Sequence, residues 1–362
     1  MPRFVTGTVA EILERRDGIA RCVVEVPGGH RRATAFESES GTVAVGDRVV
    51  VNTTATDLGL GTGGEDFVLW NLERSEFDRA SGGHILKLRY TPWQIDTLAV
   101  EAPESPHHDA LSVQEGIAGL PVVSCGLHSQ VPAVAAAIRS RDERLTIVYV
   151  MTDGAALPIA HSDLVAEMRR VGLIDATITC GHAFGGDYEA VNIFSALSAA
   201  SRVAGADVAV VAPGPGIVGT DTPFGHTGME QGLVLSAAGA LAGSPVCALR
   251  ISFADRRERH RGVSHHSLSA LRFATFVRSV VAVPSAGKER TEAILSKLRE
   301  WEIDRRHQIE VVEAAETMAA LGRFGIRPTT MGRGPDQDQE FFQAAGAAGL
   351  VAAGLTGTSR DQ

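Results

Sequence analysis

The chain has 362 residues, a net charge of −9 at pH 7, 44% hydrophobic residues and 21% charged residues. This composition excludes general disorder, and the length predicts about two domains. The negative charge argues against a general nucleic-acid binder, because neutralising phosphates requires a positive surface. No apolar run reaches the roughly 20 residues that span a bilayer, and the amino-terminal residues lack the apolar core of a signal peptide. We therefore expect a cytoplasmic protein that makes no membrane contact.

The first hundred residues predict a small β domain. Five short stretches rich in valine and threonine are separated by glycine-rich turns, at residues 5–14, 19–26, 31–37, 46–56 and 66–73. Regularly spaced short strands of this kind are typical of a small barrel or sandwich, and residues 83–100 are expected to close it. A proline-containing, charged segment at 101–110 marks a domain boundary. We therefore place an all-β domain at residues 1–105.

From about residue 120 the pattern changes to apolar runs that alternate with helical stretches. Seven such runs occur, at residues 121–125, 145–152, 175–180, 207–213, 245–252, 279–285 and 307–313. Near-continuous apolar runs are typical of parallel strands that are covered by helices on both faces. The repeated units predict a Rossmann-like parallel sheet over residues 106–340, followed by an apolar C-terminal helix and tail over 341–362. Asp187 is predicted to cap the helix that begins DYEAVNIF.

The loops that follow these strands carry histidine, aspartate and glycine repeatedly. In open α/β sheets the ligand lies outside the carboxyl ends of the strands, where these loops begin. Histidine and aspartate are residues of metal and catalytic sites. The candidate catalytic residues are therefore His128 and His182, as general acid or base, with Asp153 and Asp221 as their partner carboxylates.

One hypothesis for this edge of the sheet is a divalent metal site. The candidate ligands are His128, His182, His226 and His265, with His266 as the alternative to His265. Neutral imidazole is a good ligand for zinc and similar ions. The chain has no H-E-x-x-H motif, so separate loops would have to assemble the site.

A second hypothesis is an anion or nucleotide site. Residues 214–219 match G-x-G-x-x-G formally, but the following prolines delay the helix that a dinucleotide fingerprint requires. A glycine-rich loop still exposes backbone N–H groups, and a helix N-terminus near Thr227 favours an anion. Arginines between residues 250 and 261 add bidentate donors for phosphate or carboxylate. The candidate ligand-binding residues are Gly214, Gly216, Gly219, Arg250, Arg257 and Arg261.

A third hypothesis is nucleophilic catalysis by a cysteine. Cys125 and Cys180 each end an apolar run and are followed by glycine and a nearby histidine. A thiol that faces a helix N-terminus has a lowered pKa and becomes a nucleophile. Cysteine is also a common small buried hydrophobic residue, which is the simpler interpretation of both positions.

Four stretches of the chain are highly particular: VMTDGAALPIA, TITCGHAFGGDYEAVN, VAPGPGIVGTDTPFGHTGMEQG and LRISFADRRERHRGVSHHSLSAL. They resemble the signature segments of an uncharacterised bacterial family of about this length, which is recorded only as a domain of unknown function. The resemblance covers almost the whole chain. It implies that the β part and the α/β part form one standing unit, and it implies no activity, substrate or catalytic residue.

These observations favour an enzyme that acts on a small anionic substrate, phosphorylated or nucleotide-like, at the carboxyl edge of the sheet. The reaction we expect is metal-assisted hydrolysis or group transfer. The alternative is a ligand-sensing or binding module whose β domain contacts a partner protein or RNA. A further alternative is a protein that assembles into homo-oligomers through its apolar helices of small residues. An enzyme should show a perturbed acid–base pair in a cleft, whereas a sensor should bind without turnover.

Overall fold

A computed structural model describes residues 2–16, 18–60, 63–79 and 81–356 of the chain. The chain divides into two compact units, Met1–Thr97 and Leu98–Gln362, whereas the sequence analysis placed the boundary at residue 105. The predicted fold class is confirmed, because a small β-barrel is followed by a parallel sheet that helices flank. Among the described residues, no helix has both the length and the apolar character that crossing a membrane requires.

Five strands close into a barrel within the described part of the first unit, in the order β1-β2-β3-β5-β4. They are β1 (Phe4–Arg16), β2 (Ile19–Val26), β3 (Gly29–Phe36), β4 (Arg48–Asn52) and β5 (Asp66–Asn71). Two short helices lie in the connections, α1 (Glu37–Ser40) and α2 (Thr54–Asp57). Alternate residues of the strands fill the interior, among them Cys22, Val24, Val49 and Val51. Closure leaves no free edge between the first and last strands, since β1 pairs with β4.

Residues 83–100 do not close the barrel, so this part of the prediction was wrong. Within them, β6 (Ile85–Lys87) and β7 (Ile95–Thr97) pair only with each other, as a separate two-stranded sheet of the described residues. The barrel needs no further strand because β1 is long enough to pair with both β2 and β4.

The second unit contains one parallel sheet of eight strands, counted over its described residues, in the order β11-β10-β9-β12-β8-β13-β16-β17. Its strands are β8 (Pro121–Cys125), β9 (Ile147–Thr152), β10 (Ala176–Cys180), β11 (Tyr188–Ala190), β12 (Val208–Pro213), β13 (Ser244–Ala248), β16 (Val280–Pro284) and β17 (Gln308–Val312). A separate hairpin is formed by β14 (Ile251–Ser252) and β15 (Gly262–Val263). Each of the seven predicted apolar runs therefore contains a strand of this sheet.

Helices flank the sheet on both faces, as the apolar strands require. They are α3 (His108–Leu111), α4 (Val131–Arg141), α5 (Asp163–Arg170), α6 (Ile193–Arg202), α7 (Glu230–Ala240), α8 (His265–Ser269), α9 (Lys288–Glu300), α10 (Ile303–Arg306), α11 (Thr317–Arg323) and α12 (Gln339–Leu355). One core joins α4, α5, α11 and α12 to one face of the central strands, and a second core joins α6 and α7 to the other face. The C-terminal helix α12 packs so closely on α4 that a Cβ at Gly349 would clash with the Val134 carbonyl.

One sequence-based assignment next to β10 was wrong. Residues 188–190 form β11 rather than the start of a helix, and α6 begins at Ile193 with Asn192 as its N-cap. The side chain of Asp187 accepts hydrogen bonds from the backbone N–H and the hydroxyl of Thr177, both at 2.9 Å. Asp187 therefore fastens the turn between two neighbouring strands instead of capping a helix.

The strand order creates a switch point between β8 and β12. The chain leaves β8 across β12 to reach β9, and it leaves β12 across β8 to reach β13, so α4 and α7 lie on opposite faces. Ligands of open α/β sheets bind in the crevice at such a reversal. The residues that occupy this crevice and the neighbouring loops are therefore the first place to look for a site.

Candidate metal centre

Four histidines converge at the carboxyl edge of the sheet, from two loops. The loop after β12 ends in a 3-10 turn whose N-cap is His226. The segment after β13 passes through the β14–β15 hairpin and ends at α8, whose first two residues are His265 and His266. Ser264 caps α8 by accepting a hydrogen bond from the His266 N–H at 3.2 Å, and its hydroxyl also lies 2.8 Å from Nδ1 of His260. One serine thus positions two of the rings.

The imidazole rings of this histidine cluster, which consists of His226, His260, His265 and His266, pack directly against one another. The rings of His226 and His266 stack with centroids 3.8 Å apart and planes 6° from parallel. The His265 ring lies 4.4 Å from that of His266 and 5.4 Å from that of His226. One ring nitrogen from each of these three residues lies within 4.8 Å of the other two. The His260 ring lies close by, 4.8 Å from His266 and 5.0 Å from His265.

Several nitrogens of the histidine cluster are buried without a hydrogen-bond partner. His226 and His266 are only 6% and 8% exposed, yet both ring nitrogens of His226 and Nδ1 of His266 have no partner in the described structure. A buried polar atom without a partner costs about 1–3 kcal/mol, so such atoms call for an ion or water. The predicted residue Gly219 lies beside these rings, since a Cβ built on it would be 3.4 Å from Nε2 of His266, an ordinary contact distance.

The surroundings keep all four imidazoles neutral. Burial, reinforced by neighbouring histidines and Arg250, lowers the pKa of His266 to about 2. Burial and the charge of Arg250 lower the pKa of His260 to about 3. Burial also lowers the pKa of His226 and of His265. At neutral pH each ring therefore has a lone pair free for coordination, which is the form in which histidine binds a metal.

The Pro223 carbonyl is close enough to the His226 ring to offset part of its fall in pKa. This carbonyl lies outside normal hydrogen-bond geometry, so neither ring nitrogen of His226 has a hydrogen-bond partner. A misaligned carbonyl satisfies a buried nitrogen poorly, so the His226 ring keeps its need for a partner.

A backbone contact orients His265 for coordination. Its Nδ1 lies 3.3 Å from the carbonyl oxygen of Arg259, and a carbonyl only accepts, so Nδ1 carries the proton and Nε2 carries the lone pair. The side chain of Arg259 pairs with Asp221 at 2.5 Å. Asp221 is exposed and has a left-handed backbone with φ of 52°, a conformation that is uncommon outside glycine. The predicted carboxylate Asp221 therefore lies beside the histidine cluster.

A buried ion network lies next to the histidine cluster and engages two of the predicted ligand arginines. Asp255 accepts two hydrogen bonds from the guanidinium group of Arg257, at 2.8 and 3.0 Å, and one from its backbone N–H at 3.0 Å. Asp255 also lies 3.7 Å from Arg250 and 3.4 Å from Arg333. Asp338 pairs with Arg333 at 2.9 Å. The network has three guanidinium groups and two carboxylates, so it leaves one positive charge. Sequence analysis missed Arg333 and Asp338, since no motif marks the segment before α12.

A groove of about 850 Å³ opens beside His265, with basic and aromatic walls. Arg257, Arg259, Arg261 and Lys297 line it together with Trp301 and Phe253. The predicted residue Arg261 is exposed here and has no ion pair among the described residues. Positive charge and aromatic surface together suit a ligand that carries an anionic group and an apolar or planar part.

The switch-point crevice itself is filled by His128. Its Nδ1 lies 3.2 Å from the Pro213 carbonyl at the end of β12 and 3.0 Å from the Tyr149 hydroxyl. Its Nε2 lies 2.7 Å from the Ser162 hydroxyl. Burial lowers the pKa of His128 to about 4, so this ring is neutral. Both nitrogens are thus engaged by protein groups that link β8, β9, β12 and α5.

The predicted residues Asp153 and His182 lie together at the ends of β9 and β10. The Asp153 carboxylate accepts a hydrogen bond from the His182 backbone N–H at 3.0 Å. Strands lie about 4.8 Å apart, so the ends of β10 and β8 are separated by roughly 14 Å across β9 and β12. The fold therefore keeps His182 away from His128, although both follow strands at the same edge.

Glu230 is a further titratable side chain at this part of the sheet edge, beside Asp153. It begins α7 and accepts a hydrogen bond from the Thr152 hydroxyl at 2.7 Å. Burial, together with the nearby charge of Asp153, raises its pKa to about 7. The sequence signal was its place shortly after β12, where acids of a carboxyl-edge site are expected.

The other predicted positions have structural explanations. A Cβ at Gly214 would clash with the Ala156 carbonyl, so this glycine allows two loops to pack. Gly216 has a φ of 102°, which favours glycine. Cys125 and Cys180 are buried, and burial raises the pKa of the Cys125 thiol, which does not favour a nucleophile.

A family model described as "Protein of unknown function (DUF3866)" matches residues 32–349. The chain therefore belongs to this family, and the resemblance found in its sequence is confirmed. The match extends from β3 of the barrel into α12, so it includes parts of both units. No curated protein and no solved structure matches the chain.

Proposed function

We propose that this member of a family of unknown function is a metal-dependent enzyme, with the metal held by His226, His265 and His266. The observation that carries the proposal is the convergence of three neutral imidazoles, two of which have buried nitrogens without partners. Zn–N bonds of about 2.0–2.1 Å place tetrahedral ligand nitrogens about 3.4 Å apart, so small ring rotations bring nitrogens now within 4.8 Å onto one ion. Imidazole ligands favour zinc among the common divalent ions, with iron, nickel and copper as competitors.

Three protein ligands leave a coordination position open, which is the arrangement of catalytic rather than structural zinc. The metal would supply a Lewis acid or a bound hydroxide at this position. Asp221, beside His265 and paired with Arg259, is the candidate general base. The net positive ion network next to the histidine cluster weakens binding of a bare dication but stabilises an anion bound to it.

The groove beside His265 supports a small anionic substrate. Arg257, Arg259, Arg261 and Lys297 would bind its phosphate or carboxylate, and Trp301 would pack against its apolar part. Hydrolysis or group transfer at a phosphoryl or acyl centre is the chemistry that such a metal and these cations favour.

Metal analysis tests the proposal most directly. We expect the wild-type protein, reconstituted with zinc and desalted, to retain about one equivalent. His265→Ala and His266→Ala should lose it, whereas the matched control His182→Ala should keep it. Cobalt substitution should give the intense visible absorption of a tetrahedral site in the wild type and in the control. Wild-type protein that keeps no zinc and shows no such spectrum would refute the metal centre.

Turnover is tested separately from metal binding. The zinc-loaded protein should hydrolyse an aryl phosphate, and Arg261→Gln should raise KM with little change in metal content. Asp221→Asn should lower kcat while metal is retained. A metal-loaded protein that turns over no phosphate or carboxylate ester would refute the enzymatic part of the proposal alone.

The position of His260 favours a second candidate function, a closed metal-binding or sensing module. Its ring lies within 5.0 Å of the rings of His265 and His266. As a fourth histidine ligand it would fill the open coordination position. In that case His260→Ala should weaken zinc binding as strongly as His265→Ala does. In the enzyme, His260→Ala should leave the metal content unchanged.

A further inference from the structure

The barrel unit has a pocket of its own, of about 770 Å³, whose walls are aromatic. Phe4, Trp70, Phe77 and Trp93 line it. Trp93 stands in the turn between β6 and β7, where its backbone N–H donates to the Thr91 hydroxyl at 3.2 Å. Phe4 and Trp93 are 40% and 43% exposed, which is a large apolar surface for positions on a small barrel.

The charged groups of the pocket are mainly acidic. Glu39, Asp78 and Asp96 line it, against the single cation Arg79 among the described lining residues. Arg79 lies 3.9 Å from Glu39, which is too far for a hydrogen bond. The hydroxyl and backbone N–H of Ser81 donate to Asp96 and lower its pKa, so Asp96 is ionised. Oxygen Oε2 of Glu39 is buried and has no hydrogen-bond partner in the described structure.

We propose that this pocket binds an organic cation, namely the guanidinium or ammonium group of an arginine or lysine side chain. Aromatic faces attract such cations, by about 0.5–2 kcal/mol for each well-placed ring. Carboxylates supply charge-assisted hydrogen bonds, and the exposed Asp78 and the ionised Asp96 both line the pocket. A phosphate of RNA would instead meet three carboxylates, so of the two barrel partners that the sequence suggests, a protein is favoured. The pocket lies wholly within residues 4–96, so this inference does not depend on the metal centre.

Tryptophan fluorescence provides the test, since the full chain has three tryptophans and Trp301→Phe leaves Trp70 and Trp93 as the reporters. The Trp301→Phe protein is titrated with N-acetyl-arginine amide and, in parallel, with its uncharged isostere N-acetyl-citrulline amide. We expect saturable quenching with the arginine derivative, at an affinity at least tenfold higher than with the citrulline derivative.

Variants assign the response to the pocket. Glu39→Gln and Asp78→Asn should each weaken binding of the arginine derivative severalfold. The matched control Glu11→Gln removes an exposed carboxylate of β1 that does not line the pocket, and it should change nothing. Circular dichroism checks that each variant is folded, and Asp78→Asn, at an exposed position, keeps the test valid if Glu39→Gln does not fold.

The fluorescence titrations can contradict the proposal in two ways. Equal quenching by the two derivatives, or unchanged affinity in a folded Asp78→Asn variant, would overturn the proposal. A ten-residue peptide with one arginine that binds at least tenfold more tightly than the single amide identifies a protein segment as the source of the cation. Equal affinity of peptide and amide identifies a small cationic molecule.

Discussion

Replacement of Glu230 by glutamine should change how the free energy of unfolding depends on pH. Glu230 is partly buried, accepts a hydrogen bond from the Thr152 hydroxyl at 2.7 Å, and has its pKa raised to about 7 by burial. Glutamine has nearly the same shape, and its carbonyl oxygen can accept the same hydrogen bond. The substitution therefore removes the titration and leaves the packing.

The size and sign of the effect follow from proton linkage. Between the ordinary carboxyl pKa of 4.5 and the folded-state pKa of about 7, the folded protein holds a proton that the unfolded chain has released. The stability contributed by this group is fully present below pH 4.5 and is lost as the pH rises through 7, by about 3 kcal/mol. Glu230→Gln loses nothing over this range. Its stability relative to the wild type should thus increase by about 3 kcal/mol from pH 4.5 to pH 8.

Urea unfolding measures this difference. In a Trp70→Phe, Trp93→Phe background, Trp301 reports on the α/β unit alone, and a chelator keeps metal out of the comparison. Glu143→Gln, an exposed carboxyl of the same unit, is the matched control and should follow the wild type at every pH. Parallel pH profiles for the wild type and Glu230→Gln would refute the reasoning.

Three further substitutions test other parts of the α/β unit. Gly349→Ala should cost about 1–3 kcal/mol in urea unfolding, because its Cβ would clash with the Val134 backbone carbonyl, whereas Gly334→Ala, with open space around it, should be nearly neutral. Asp255→Asn should cost about 3–5 kcal/mol, because it removes the buried carboxylate that neutralises the buried Arg250 guanidinium. An effect no larger than that of Asp142→Asn, a surface pair, would count against this network. The folded-state pKa of His128 is about 4 and its ordinary value is 6.5, so the wild type should lose up to about 3 kcal/mol of stability as the pH falls from 6.5 to 4. His128→Gln should reduce this loss. An unchanged pH dependence of stability in the variant would contradict the reasoning.

The order of the two units, and the strands and helices of each, follow largely from local sequence pattern. Hydrophobic periodicity is a local property, so partly alternating stretches predicted a barrel and near-continuous apolar runs predicted a parallel sheet. The predicted elements were wrong where strand pairing does not follow the local hydrophobic pattern. Residues 188–190 pair with β10 across a turn that Asp187 fastens, and residues 85–87 pair with residues 95–97 while β1 closes the barrel with β4.

Which candidate residues lie together depends on the order in which the strands pair. The sequence placed histidines at the carboxyl edge, but strand order spreads that edge over eight strands of the described sheet, each about 4.8 Å from the next. Insertion of β12 between β9 and β8 buries His128 in the switch point and separates it from His182. Strands β12 and β13 instead lie on either side of β8, and the loops that follow these two strands bring His226 against His265 and His266. Convergence of side chains depends on crossovers and register, which residues distant in the chain determine together.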